Sequence, residues 1–492
     1  MSTGSLSKSD LWALAEQRRA AAKGAAGGAR GFRWVVDAIL PLALTMAAGI
    51  GVLLPAALPT PARVSLFSFA LAVILWSTTS LNAAYVALGA LMLLVLAGGS
   101  PQEQLFDALA SDVIWLMIGA FVLGGAVQQT GLAARLTAFV TGRARTVRGT
   151  FWLLTTALVP LSFFIPSTSG RAAVTLPVFR SLAAAAGDQR VTRALALLMP
   201  TVILVATINT LIGAGSHLIA NDLLEQIAKQ RISFTWWAIY GVPFGVTAAY
   251  VSCWVVMRLF LRREQLDAEL RVPAAKRAPL TRAEWTTLAV AAMMVALWVS
   301  EAWHGLEIAT VSVAGALVLT LPALGVLSWK EGLKSVSWNL IVFVGAALVL
   351  GQALIKTGAA PWIIDGLFAA SGVARAESPL LVLLVLSFIS LTSHIYMTSH
   401  TARAAALVPG ILYLAGSLGL NPVAALFIST AGMDYCLTFP VSSKALLMFQ
   451  ELETETYQPS DLLRLSAVLL IAHLALIVLF YFTYWRWVGL TL

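Results

Sequence analysis

Charge is scarce in this chain. Asp, Glu, Lys and Arg together make up 11% of its 492 residues while hydrophobic residues make up 59%, a balance that excludes a soluble domain of this length. Cysteine is nearly absent: Cys253 and Cys436 both stand in apolar segments, so neither a disulfide framework nor a metal cluster is expected, and both read as packing residues. The residue sets of common enzymes are missing too. There is no His-Glu-x-x-His, no Gly-x-Ser-x-Gly and no nucleotide loop, which argues against an intramembrane enzyme. No small-residue cleavage pattern follows the basic residues Arg18, Arg19, Lys23, Arg30 and Arg33, so the first 33 residues do not read as a secretory signal. The net charge of +9 would suggest nucleic acid in a soluble protein; here the basic residues sit mostly in short loops, where they set membrane orientation, and no nucleic-acid partner is expected.

Apolar runs dominate what is present, with mean hydropathy +0.86. A spanning helix needs about 20 apolar residues, and that ruler marks candidates at 34–58, 63–79, 81–98, 113–130, 193–220, 234–260, 284–303, 308–326, 337–357, 421–449 and 462–485. Two further apolar regions, 150–180 and 379–412, are each interrupted midway by hydroxyls and an arginine. Such an interruption is tolerated at membrane depth only where backbone is buried in protein or lines a polar cavity, so both read as re-entrant hairpins. The expected fold is an all-α polytopic membrane protein of about 11 transmembrane helices with two hairpins in an inverted repeat. The lipid bilayer is its first partner.

The interruptions are near-copies. Pro166-Ser-Thr-Ser-Gly-Arg-Ala-Ala173 matches Thr398-Ser-His-Thr-Ala-Arg-Ala-Ala405, so that Ser167 pairs with Ser399, Arg171 with Arg403 and Pro177 with Pro409 at a constant offset of 232. A duplicated set of hydroxyls and an arginine in apolar sequence reads first as a functional site. A second correspondence joins Trp115-Leu-Met-Ile-Gly119 through Thr130-Gly131 to Val344-Gly345 through Thr357-Gly358. These matches divide the chain into an N-terminal segment 1–33, a first half 34–260, a charged linker 261–285 and a second half 286–492. Arg143, Arg145, Arg148, the loop from Arg262 to Arg282, Lys330 and Lys334 should be cytoplasmic with the N-terminus, which puts the C-terminus outside and makes the two hairpins enter from opposite faces. Asp10 to Lys23 reads equally as a short basic surface helix or a solvated tail. Tyr484, Trp485 and Trp487 read as an interfacial aromatic belt.

In its order of apolar helix ending in Thr-Gly, hairpin with a Ser-x-Thr/Ser tip and broken helix with Leu-Ile-Gly, the chain resembles the divalent anion/sodium symporter family of dicarboxylate, citrate and sulfate carriers. The resemblance covers roughly residues 65–485 in element order, and it is sharpest at the tips and the Thr-Gly segments. It implies a homodimeric secondary carrier in which hairpins and broken helices move as a transport unit against a scaffold, an elevator-type alternating access. The implied substrate is a small divalent anion, a C4-dicarboxylate or a sulfate-like oxyanion. Its implied contacts are Ser167-Thr168-Ser169, Ser399-His400-Thr401 and the breaks at Asn209 to His217, with Gly213 among them, and at Phe439 to Lys444, with Ser442 and Ser443. Sodium, the coupling ion of the family, would fall to Ser167, Thr168 and Asn209; no other cofactor is implied.

Thr168 and His400 stand where the family has asparagine, and the Thr-Pro-Pro usual after each break is Ala214-Gly215-Ser216 and Ser443-Lys444-Ala445 here. An imidazole is a poor replacement for an amide oxygen on a hard cation. The coupling ion therefore stays open between sodium, which the resemblance implies, and a proton, for which His400 and Asp434 are the candidate carriers. Arg171, Arg403 and Lys444 are the cations available to a divalent anion, either as a fork on it or as structural caps and ion pairs. The hydroxyls at the tips have helix capping as their ordinary alternative role. Asp434, placed mid-helix in the tenth span, reads as a proton site or as the partner of a cation such as Arg403, while His217 and His394 read as polar lining residues. The competing functions are an anion channel and an uncoupled anion exchanger.

Overall fold

A computed structural model describes residues 39–54, 58–79, 81–270, 279–359, 362, 379–452 and 456–492. The N-terminal segment, and with it the surface-helix reading of Asp10 to Lys23, lies outside them, as does 271–278 of the linker.

Among the described residues the fold is helical, with one isolated bridge, Thr146 to Glu269, in place of any sheet. Seven helices are long and apolar enough to cross a membrane: Thr60–Thr78, Asp112–Thr130, Gln189–Asn209, Phe234–Phe260, Arg282–Val299, Trp338–Lys356 and Pro459–Trp485. Shorter apolar helices occupy Ile39–Leu53, Ala83–Leu96, Ile308–Thr320 and Pro422–Met433, so each expected span has a helix. The two interrupted regions are helix pairs. Val147–Leu158 runs through a 3-10 turn, Val159–Phe163, to a tip followed by Thr168–Ala186; Pro379–Tyr396 leads through a short tip to His400–Ser417.

Local chemistry explains the ends. Ser111 caps Asp112–Thr130 by accepting from the Val113 N–H, and the helix stops at Gly131, whose φ of 68° favours glycine. Thr130 Oγ1 donates to Ala126 O at 2.8 Å and Thr357 Oγ1 to Ala353 O at 2.7 Å, with Gly358 at φ 77°. The Thr-Gly correspondence read in the sequence is thus a repeated helix terminus.

Burial sorts the helices into an outer set and a centre. Thr60–Thr78 and Arg282–Val299 keep most of their surface outside the protein core, as lipid-facing helices do, whereas every residue from Ala194 to Ala214 and from Ala424 to Thr438 is buried. Glycine lets the centre close. A Cβ on Gly241 would stand 2.2 Å from Ile208 O, and one on Gly119 2.5 Å from the Ser312 backbone, so at both places helix meets backbone without a side chain between.

Pro243 organises the last contact. It lacks an N–H, so Ile239 O, four residues earlier, has no donor inside Phe234–Phe260. Tyr484 Oη donates to that oxygen at 2.9 Å, and Trp485 Nε1 donates to the adjacent Tyr240 O at 3.0 Å. A π-helical turn over Tyr481–Trp485 accompanies this reach. The belt reading is corrected accordingly: Trp485 is fully buried against Phe244 and Phe427, Tyr484 is half-buried, and only Trp487 is exposed. A polar interior contact outweighs the interface for an indole that has an open carbonyl to bond.

Gly241→Val should force Phe234–Phe260 away from Ile208 and cost about 1 to 3 kcal/mol of stability. A lowered thermal midpoint of the purified variant checks this; an unchanged midpoint would mean that the approach is not tight in the folded protein.

Candidate functional site

The two tips are built alike. Ser167 and Ser399 are N-caps, their Oγ atoms accepting from Gly170 N–H at 3.2 Å and Ala402 N–H at 3.3 Å. Each also bonds the hydroxyl two residues on: Ser167 to Ser169 at 3.0 Å, Ser399 to Thr401 at 3.1 Å. Capping and a shared hydroxyl pair are therefore both real, and the tip residues from Ser167 to Ser169 and from Ser399 to Thr401 are only half-buried. Thr168 and His400 each open the helix that follows.

The first broken helix is Gln189–Val205, a pair of 3-10 turns at Thr207–Asn209 and Leu211–Gly213, then Gly215–Ala228. Thr210 and Ala214 are extended, with φ of -144° and -150°, which frees carbonyls that hydrocarbon cannot satisfy. Side chains take them. Arg171 donates through Nη1 to Ile203 O at 3.1 Å and through Nη2 to Gly213 O at 2.8 Å and Thr207 Oγ1 at 3.1 Å. Trp237 Nε1 donates to Ile208 O at 3.0 Å, and His217 Nδ1 lies 2.9 Å from Thr210 O. Gly213 has no room for a Cβ, which would stand 2.2 Å from Thr207 O. Asn209 (both amide atoms), Thr210 Oγ1 and Ser216 Oγ are buried without a hydrogen bond, and such oxygens suit a hard cation.

The second break repeats the backbone and changes the chemistry. Pro422–Met433 ends at Asp434; Phe439 and Ser443 are extended on either side of the turn Pro440–Ser442, and Lys444–Gln450 follows, with Ser443 Oγ accepting from Ala445 N–H at 3.2 Å. Cys436 precedes its turn by the same four residues as Thr207 precedes Leu211. Arg403, the repeat-mate of Arg171, is fully buried beside Cys436, yet none of its three nitrogens makes a hydrogen bond in the ordinary geometry. His400 Nε2 instead lies 2.8 Å from Cys436 Sγ. Ser442 Oγ and Asp434 Oδ1 are likewise unbonded.

One contact crosses the repeat. His217 Nε2 lies 2.8 Å from Asp434 Oδ2, both side chains almost wholly buried, and the imidazole stacks on Trp237 at 4.9 Å. A Cβ on Gly215 would be 3.5 Å from Thr401, so the second tip also rests on the first break. Tip, break, break and tip are thereby linked in series.

Several expectations change. Asp434 is not mid-helix but at a helix end, and its partner is His217 rather than Arg403. The cause is the break itself, which turns the carboxylate toward the other half. His217, expected as a lining residue, bonds Asp434 across the two breaks. Cys436, expected to pack, is a polar neighbour of His400. The guanidinium of Arg171 is taken up by carbonyls. His394 belongs to a separate chain of bonds, its Nε2 2.6 Å from Thr438 Oγ1, which is 2.7 Å from Ser466 Oγ. Lys444 is exposed at the start of its helix. The sequence signal for the His217–Asp434 pair was available: each is an ionisable residue in an apolar segment and needs a partner there.

Comparison with known proteins gives three kinds of match. The family described as the sodium:sulfate symporter transmembrane region matches residues 36–491. The chain is 23% identical over 393 residues to the citrate/succinate antiporter of Escherichia coli, covering 75% of this chain and 78% of the relative. It is 22% identical over 402 residues to a sodium-dependent dicarboxylate transporter of Staphylococcus saprophyticus, covering 75% and 76%. Among solved structures, the YdaH transporter of Alcanivorax borkumensis shares the fold, with TM-score 0.56 and 14% identity over 88% of this chain and 100% of that one.

Arg171 and Arg403 should differ in what they do for the empty protein. Arg171→Met strips donors from Ile203 O and Gly213 O and should cost about 3 kcal/mol or more. Arg403→Met removes a buried charge whose neighbour is the weakly accepting Cys436 thiol and should leave stability unchanged or raised. Thermal unfolding of the two purified variants decides, and equal losses would show that Arg403 is bonded in the folded state.

Proposed function

The chain belongs to the sodium:sulfate symporter transmembrane family, and on that premise we propose that it is a secondary carrier of small divalent anions, C4-dicarboxylates or sulfate-like oxyanions, across the cytoplasmic membrane. The observation that carries the reading is the junction of hairpin tip and broken helix, built twice and tied across the repeat. Hydroxyls and helix N-termini at Thr168, Gly215 and His400 offer an anion oriented dipoles. Arg403, buried and unbonded, offers it a charge whose desolvation an anion would offset. Substrate contacts are assigned to Ser167 to Ser169, Ser399 to Thr401, Arg403 and the second break through Ser442, Ser443 and Lys444. Arg171 and Gly213 hold the first break in shape.

Transport is by an elevator motion in a homodimer, the N-terminus inside and the C-terminus outside. The polar cross-links at the centre support a moving unit: Arg171, His217–Asp434, His400–Cys436 and the Tyr484–Ile239 bond all join hairpins, broken helices, Phe234–Phe260 and Pro459–Trp485. Cation coupling completes the reading. The relative named as sodium-dependent supports sodium, and Ser167, Thr168 and Asn209 supply the oxygen donors it takes.

Purified protein in proteoliposomes should take up labelled succinate, citrate or sulfate saturably and exchange it against internal substrate. Flux that rises linearly with concentration and shows no exchange would favour a channel. Ser167→Ala and Ser399→Ala should each weaken binding while expression and dimerisation stay intact; wild-type uptake in both would remove the tips from the site. Lys444, exposed in the structure, offers a solvent-screened charge, so Lys444→Met should weaken anion binding by about 1 kcal/mol or less. A thermal-shift titration of that variant measures it, and unchanged affinity would place Lys444 outside the site.

A further inference from the structure

Arg171 and Arg403 each stand four residues after a tip serine, yet only Arg171 is held by hydrogen bonds. It donates to Ile203 O, Thr207 Oγ1 and Gly213 O. Thr207 gives its own hydrogen to Ile203 O at 2.9 Å, which leaves its lone pairs for the guanidinium. Counted from the turn of each break, the residues of the second half that correspond to Ile203, Thr207 and Gly213 are Gly432, Cys436 and Ser442. Each replacement weakens or withdraws an acceptor. Gly432 O already accepts from the Tyr435 N–H at 3.2 Å. A Cβ at Gly213 would stand 2.2 Å from Thr207 O, so Ser442, which has one, cannot repeat that approach. Cys436 presents sulfur, a weak acceptor, and that sulfur is engaged with His400 Nε2 at 2.8 Å.

A buried cation is left short of partners. Arg403 is fully buried, none of its three nitrogens makes a hydrogen bond in ordinary geometry, and its polar neighbour is the Cys436 thiol. Ser442 Oγ, buried at the same break, is unbonded too. Leaving a charge desolvated and unsatisfied is costly, and in an apolar segment such a charge marks a place where a ligand supplies what the protein does not. Sulfur stands at the one side-chain position where, in the first half, an oxygen helps to fix the arginine.

We propose that Cys436 is a positioning residue for substrate: by withholding a good acceptor, its thiol keeps the Arg403 guanidinium open for one carboxylate or oxyanion end of the anion. The inference deepens the carrier reading and rests on it. Such a group brings two oxygens to the guanidinium fork, and Ser442 Oγ can donate its hydroxyl hydrogen to the same group. Little of that contact is offset by lost protein bonds, because the empty protein gives Arg403 few to break. At the first break Arg171 would have to leave Ile203 O and Gly213 O before it could serve an anion, so the negative end of the substrate goes to the second. Cys436 touches no substrate in this arrangement and acts through Arg403.

The order of two small substitutions tests this. Cys436→Ser keeps the shape and adds a good acceptor, so Arg403 turns to the protein; Cys436→Ala removes the thiol and adds none. Wild-type protein should bind succinate tightest, Cys436→Ala next and Cys436→Ser weakest, the last roughly threefold to tenfold below wild type by thermal-shift titration and by half-saturation of succinate counterflow. A thiol that merely fills space gives the reverse order, because alanine opens a cavity and serine does not. In protein without anion, Cys436→Ser should raise the thermal midpoint, and this gain should be absent in Arg403→Met, where no guanidinium is left to bond. Succinate affinity in Cys436→Ser equal to wild type, or a larger loss in Cys436→Ala, overturns the inference. So does a midpoint that Cys436→Ser leaves unchanged or lowers, or a gain that persists in Arg403→Met. Absence of wild-type counterflow with succinate, citrate and sulfate overturns the carrier reading, and the assigned anion with it, while the midpoints still decide whether Cys436 leaves Arg403 unbonded.

Discussion

Every carbonyl freed where a helix breaks inside the bilayer must find a donor in the protein, because lipid supplies none. The centre of this structure is a set of answers to that demand. Arg171 closes Ile203 O and Gly213 O, the Trp237 indole closes Ile208 O, and His217 joins the Gly213 N–H at Thr210 O. These are long side chains that reach back from neighbouring elements, so satisfying the break also fixes the hairpin, the Phe234–Phe260 helix and the second half of the broken helix against it. Packing follows from that bonding: Gly213 and Gly241 are small because carbonyls pass where their side chains would be.

The two halves share a backbone plan and divide the chemistry. At the first break an arginine and a threonine hydroxyl satisfy each other and the main chain. At the second the corresponding arginine faces a thiol, a weak acceptor that leaves a buried guanidinium short of partners. Arg171, bonded through both terminal nitrogens, is a girder, whereas Arg403 is an electrostatic resource. The same residue type at symmetric positions thus has different tasks, set by Thr207 and Cys436.

Most of the architecture was legible because it rests on counting. Apolar runs located a helix at each of the eleven expected positions, seven of them long enough to span, and the offset of 232 between Ser167 and Ser399 exposed the duplication. The tip motif and the Thr-Gly termini led to the family before any coordinates. Pair identities were not legible. The partner of Asp434 depends on which way a chain turns after Met433, and local sequence around a break does not encode that direction. Trp485 looked interfacial because it stands near a chain end rich in aromatics, yet a proline 242 residues earlier had opened a place for it. Such contacts need both halves in position before they exist.

That last contact bears on how the protein is made. Ile239 O, left without a helical donor by Pro243, receives one from Tyr484, and Tyr240 O receives one from Trp485, each pair separated by 245 residues. During synthesis the Phe234–Phe260 helix enters the bilayer long before those residues leave the ribosome, with the Ile239 carbonyl still open. The nascent first half therefore carries a polar notch that water, lipid headgroups or an insertion factor must cover until the final helix arrives. Completion of the membrane fold becomes a late, post-insertion event rather than a stepwise one.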